Sequence, residues 1–361
     1  GSGKLEALNI DANNITLIAN RVGSTLAEDV VIDLGSGFAG LTTAQRAALA
    51  GAEADDIVLD PSNPNIIRII QREDVDINAR GVITVTAQQD VFLGGTTDFN
   101  IFNVRGDRIE IKTDGSILSA NGNRVVIDGN DVILDAGGVI GNAEQALHLK
   151  VAGILTARAQ SLGLAHQGNL TIDYLLGRNG VNLRVDEGNL FVRDNSVGGV
   201  WQEVQHIAGG DVTLRVGGQV GASGARVNIG TNPTNVVNLD ITGDAWIGGI
   251  QGVLSTPGAL RMGQTSVGGR LDLNNLFNLQ QTGNWTLGSL LVNVQNHWLA
   301  DVGTEIQTSA GIGANAGSQI RLGNLTASNS NAGISLTAAT LEQNADDLLW
   351  RAGGLVQLDA R

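Results

Sequence analysis

The sequence predicts an all-β chain wound as a right-handed parallel β-helix, that is, a β-solenoid. Three observations carry that prediction. Fifty glycines stand beside only 4 prolines in 361 residues, a ratio that suits many tight corners and not a disordered Pro/Gly-rich chain. Aromatic residues make up 3%, too few for a core built on large rings. A short unit of Gly, then Asn or Asp, then an alternating apolar strand recurs along the chain.

The unit appears as Gly129-Asn130-Asp131-Val132-Ile133-Leu134, Gly168-Asn169-Leu170-Thr171-Ile172 and Gly188-Asn189-Leu190-Phe191-Val192. Later copies start at Gly210, Gly243 and Gly283. Within each copy, alternation places apolar side chains on one strand face and polar ones on the other. Glycine permits a sharp left-handed corner, and Asn or Asp tolerates one while bonding its own turn. Stacked coils pair every strand in parallel with its neighbours, and strand twist favours a right-handed path. A longer unit also repeats, residues 131–141 paralleling 211–221, with an echo at 311–314. Coils of roughly 20 residues predict roughly 16 to 18 coils and a rod on the order of 80 Å.

Residues 36–65 break the pattern. Thr42-Thr43-Ala44-Gln45-Arg46-Ala47-Ala48-Leu49-Ala50 reads as a short helix with Thr42 or Thr43 as N-cap, followed by Asp55, Asp56, Asp60, Pro61 and Pro64. This stretch is read as an insertion on the side of the rod, or as an end cap if the natural chain starts nearby. Elsewhere no linker divides residues 1–361, which read as one solenoid domain cut from a longer chain. The start, Gly1-Ser2-Gly3-Lys4, carries no signal pattern.

A net charge of −14 argues against nucleic acid and anionic membrane surfaces as partners. No apolar run is long enough to insert in a bilayer. The absence of cysteine suits export, where a premature disulfide would obstruct passage.

The run 210–224, its relatives at 130–141 and 311–317, and Asp90-Val91-Phe92-Leu93-Gly94-Gly95 followed by Asp107-Arg108-Ile109-Glu110-Ile111 resemble the repeats of large bacterial exoproteins. These are the filamentous-haemagglutinin-like adhesins of two-partner secretion and comparable giant surface proteins. The resemblance implies a parallel β-helix shaft on the cell surface or secreted. It also implies attachment to host or bacterial cells or to a polysaccharide matrix. The signature that opens such proteins is not evident, although Asn63-Pro64-Asn65-Ile66 has a similar look.

Candidate sites are sparse. Arg105-Gly106-Asp107 is the tripeptide that integrin-type receptors read from a splayed turn, and an ordinary coil corner is the competing reading. No cofactor is expected. Calcium is the one ion the acidity leaves open, with Asp128-Gly129-Asn130-Asp131 and Asp55-Asp56 as the best oxygen clusters, each also explicable as a solvated turn. His148, His166, His206 and His297 could meet only if coils stacked them. Trp201, Trp246, Trp285, Trp298 and Trp350 read as core filling or lateral caps rather than sugar platforms. The Asn-x-Thr triplets at Asn14, Asn169, Asn284 and Asn324 read as turn Asn beside strand Thr. A polysaccharide-processing β-helix would need convergent carboxylates, whereas the acidic residues here are scattered over turns. A structural and adhesive rod, not an enzyme, is therefore expected. The alternatives are a polysaccharide-binding or polysaccharide-processing β-helix and a filament whose copies join end to end or laterally.

Overall fold

In the computed structural model, the chain is an all-β parallel solenoid of about 12 turns. The structure describes residues 8–25, 30–33, 41–43, 45–46, 49, 57–60, 63–69, 72–142, 144–193, 196–197, 200–201, 205–249, 259–345 and 349–360.

The coils are three-sided where they are most regular. Strands Glu305–Thr308, Ile312–Ala316 and Gln319–Leu322 make one coil, and Asn324–Ala327, Ile334–Ala338 and Thr340–Gln343 make the next. Each side stacks in parallel on its counterpart below. Parallel register keeps inward residues over inward residues, so the core is a set of columns. One runs Trp285, Ile306, Leu325 and another Leu290, Ile312, Ile334. A third runs Leu279, Trp298, Ile320. All of these residues are buried. The hydrophobic effect acts along the whole axis, because each coil shields its neighbours from water.

Two expectations about the repeat unit change in the structure. Of the six unit glycines, only Gly168 has a positive φ, +86°. At Gly188 a Cβ would collide with the backbone of Gly168 one coil below, and glycine is needed for that close approach. The Asn and Asp residues, for their part, bond the next coil. Asn14 Oδ1 accepts the N–H of Val82, Asn169 that of Asn189, Asn284 that of Glu305 and Asn324 that of Leu349, at 2.8 to 3.1 Å. All four Asn-x-Thr asparagines thus share one role. They satisfy the strand-initiating N–H of the coil above. The parallel between 131–141 and 211–221 holds in three dimensions. Asp131 and Asp211 accept from Ile154 and Val236, and Gly141 and Gly221 have φ of +55° and +66°.

There are fewer coils than the unit spacing predicted. The unit occurs on more than one side of a coil. Leu190 and Ala245 both lie in register with Val220, whereas Val212 and Trp285 belong to the neighbouring side. Outside the coil that carries the insertion, coil length also varies, from 17 residues between Leu155 and Ile172 to 32 between Leu175 and Ile207. At about 4.8 Å per coil the shaft is roughly 60 Å long, not 80.

The insertion is also longer than 36–65. Ile10 pairs with Ile77 and Ile15 with Ile83, so one coil step skips from Gly23 to Asp74. Antiparallel pairing of Ser24 with Glu73 and Thr25 with Arg72 closes the base. Beyond it lies an antiparallel three-stranded sheet of Val30–Asp33, Asn63–Ile69 and Ile57–Asp60. Its own small core joins Ile32, Leu41, Ile67 and Ile69. Pro64 lies within a strand of that sheet, while Asp55, Asp56 and Pro61 fall outside the described residues. Thr43, Gln45, Arg46 and Leu49 are helical, as expected. The cap is Thr42, which exchanges bonds with Gln45. The Thr42 N–H donates to Gln45 Oε1 at 2.9 Å and the Gln45 N–H to Thr42 Oγ1 at 3.2 Å.

Candidate functional site

Arg105-Gly106-Asp107 forms a corner between strands Phe99–Arg105 and Arg108–Thr113, with Arg105 and Asp107 exposed. The corner is tied on both sides. The Asp107 N–H donates to Gln89 O at 2.8 Å, and the Asn130 N–H donates to Asp107 O at 2.7 Å. At Gly106 a Cβ would press on Gln89 O and Val91 Cγ2, so coil stacking requires this glycine. Arg105 is in register with Asp128, and Asp128 with Lys150, whose Nζ lies 3.4 Å from the Asp128 carboxylate. The tripeptide is therefore the start of an exposed ladder of alternating charge.

The proposed calcium oxygens have protein partners, Asp128 in that ladder and Asp131 at the Ile154 N–H. Among the described residues, no three His, Cys, Asp or Glu side chains gather as a metal site would require. The four histidines do not gather in one place, although His148 and His166 lie on adjacent coils. His166 points inward, in register with Leu149 and Val185. Its Nε2 accepts from the Val151 N–H at 3.0 Å and its Nδ1 faces Gly168 O at 3.3 Å. Burial pushes its pKa down. His206 is fully buried, its Nδ1 accepts from the Asn228 N–H at 3.0 Å, and burial pushes its pKa down to about 4. Both serve as neutral acceptors for backbone donors at corners.

Trp285 and Trp298 fill the core and stack with centroids 5.9 Å apart. Trp246 is half-buried on an outward position, and Trp350 packs against the core from the last coil. Trp201 lies in a short antiparallel pair with Ser196.

Sequence reasoning missed one lateral groove. In the outward column His148, Ala165, Arg184, the small Ala165 sits between two long side chains and leaves a notch. The loop carrying Asn123 and Val125 lies at one end, and Asp186, Glu187 and Gly217 at the other. The groove is half open and encloses about 540 Å³. Arg184 Nε donates to Asp186 Oδ2 at 3.1 Å. Burial, with Arg184 adding to it, lowers the pKa of His148. Glu187 has a φ of +53°, a left-handed conformation that is unfavourable for a side chain with a Cβ. The sequence singled out His148 only as one of four scattered histidines and did not point to its neighbours, because only the coil register brings 148, 165 and 184 together.

No family model, curated protein or solved structure matches the chain. No helix among the described residues is long and apolar enough to cross a membrane.

Proposed function

We propose that the chain is a structural and adhesive shaft of a bacterial exoprotein of the filamentous-haemagglutinin-like kind, working outside the cell. Its task is extension and attachment, and no bond is made or broken. The observation that carries this reading is the continuous parallel stack from Ile10 to Ala360, with side-chain acceptors at the corners tying successive coils. Such a rod is stiff because bending it would stretch many short hydrogen bonds at once. Its acidic surface suits a solvated extracellular object. Partners in this reading are host or bacterial surfaces or a polysaccharide matrix.

The test is display of the chain on a non-adherent bacterium, with attachment scored on mammalian cells, bacterial lawns and polysaccharide-coated plates. Attachment should rise on at least one surface, and excess soluble chain should compete it away. No gain on any surface, or turnover of a polysaccharide by the purified chain, would overturn the proposal.

A further inference from the structure

We infer that the groove at Ala165 binds a neutral, linear oligosaccharide, an inference that deepens the adhesive reading and rests on it. Shape is the first argument. The notch runs across the stack through Val125, His148, Ala165, Arg184 and Gly217, one residue from each of five successive coils. Its lining is thus drawn from about 19 Å of stack, with the deepest part over Ala165 between His148 and Arg184, where sugar rings in a row can lie. Its wall strands are already paired above and below, so no free edge offers a peptide a place to add as a strand. Leu149 and Ala165 are almost wholly buried in its floor, so no deep pocket awaits an apolar side chain.

Chemistry is the second argument. Arg184 is paired with Asp186, and the carboxylate of Glu187 is offset by Arg215, which lies in register beside Arg184 on the next coil, so the site carries no strong net charge for an ionic ligand to match. The exposed side chains of Asn123, Gln167 and Glu187 make no hydrogen bond to another described residue. Together they offer amide donors, amide acceptors and a carboxylate acceptor. Sugar hydroxyls both donate and accept, and they match that mixture. Burial lowers the pKa of His148, and its neutral imidazole can donate or accept.

Backbone conformation is the third argument. Glycine would adopt the conformation of Glu187 without penalty, and the next residue, Gly188, shows that glycine is used freely in this turn. A side chain retained at such a position, on the rim of a groove, suggests use of its carboxylate.

The experiment is titration calorimetry of the purified chain against cello-, laminari-, malto- and xylohexaose, with a heparin hexasaccharide and an oligogalacturonate as charged controls. At least one neutral hexasaccharide should bind at or below about 1 mM and more tightly than either control. Ala165→Trp, which fills the notch from the outward side, should weaken binding at least about tenfold. Glu187→Gly should also weaken binding while leaving the melting temperature equal or higher, a split that a purely structural role would not give. Failure of every neutral sugar to bind, tighter binding of a charged one, or indifference to both variants would overturn the site. If the displayed chain still promotes attachment in that event, only the groove is refuted. If attachment is lost as well, the adhesive reading falls with it.

Discussion

Asn189 lies one coil above Asn169, and its backbone N–H and its side-chain amide both donate to Asn169 Oδ1, each at 3.0 Å. Asn189 Oδ1 then accepts the N–H of Gln219 at 2.8 Å, which extends the ladder upward. Asn169→Ala removes the lower acceptor at an exposed corner where water can partly replace it, so the expected loss is about 1 kcal/mol. Amide hydrogen exchange at Asn189 should accelerate. Asn169→Asp keeps an acceptor oxygen and should cost less. Equal losses for the two variants would mean that the side chain acts through its own turn instead.

Gly188→Ala places a methyl group into the backbone of Gly168. Rigid coils on either side leave no room to relax, and a loss of about 3 kcal/mol or more is expected by chemical denaturation. Gly224→Ala is the control. Its added methyl meets open space at a φ that other residues adopt, so stability should change by no more than about 0.5 kcal/mol.

Stability should fall as pH drops from about 6.5 toward 4, with His206 the main contributor. The unfolded chain takes up a proton near the ordinary histidine pKa of 6.5, whereas folded His206 resists protonation down to about 4. Protonated Nδ1 would confront the Asn228 N–H that it now accepts. Linkage makes the loss about 3 kcal/mol once pH is below 4, with no further change from this group at lower pH. His166 acts in the same direction. Asp211, whose pKa is lowered by Asn235 and the Val236 N–H, adds a further loss only as pH falls below its ordinary value of 3.8. Melting temperatures from pH 8 to 3 test this, and His206→Asn should flatten the curve between 6.5 and 4.

Trp285 and Trp298 share a stack but not the same bonding. Trp285 Nε1 donates to Gly263 O at 3.1 Å, whereas the buried Nε1 of Trp298 has no acceptor among the described residues. Trp285→Phe loses a hydrogen bond to a carbonyl that Thr265 Oγ1 also bonds at 3.2 Å, while Trp298→Phe removes an unsatisfied donor. The first should cost more than the second by about 1–2 kcal/mol, read from denaturant midpoints. Trp298→Ala should cost about 3–5 kcal/mol through the cavity it leaves.

Much of the shaft could be read from the residues because a stacked coil repeats its demands. Alternation in Asp131–Ala136 gives its inward face directly, and the repeated run 211–221 gives the matching corner. Register could not be read. Strand Ile207–Val216 lies on strand Leu170–Asp186 at a step of 32 residues, from Leu175 to Ile207, against 17 from Leu155 to Ile172 in the coil before, and no local pattern encodes that difference. The boundary of the large insertion was missed for a related reason. Val30-Val31-Ile32-Asp33 alternates like a shaft strand but pairs antiparallel with Ile66–Ile69. The groove was hidden by the same gap, since His148, Ala165 and Arg184 are neighbours only in the stack. By contrast, the short helix and its Thr42 cap depend on contacts three residues apart and were found.

The narrow neck between Thr25 and Arg72 has an evolutionary consequence. Chain enters and leaves the side lobe at adjacent points, while Ile10, Ile15 and Val22 already sit in register with Ile77, Ile83 and Val91. A lineage could therefore exchange, enlarge or delete everything between those two residues as cargo on an unchanged mast, without retuning the winding beneath it.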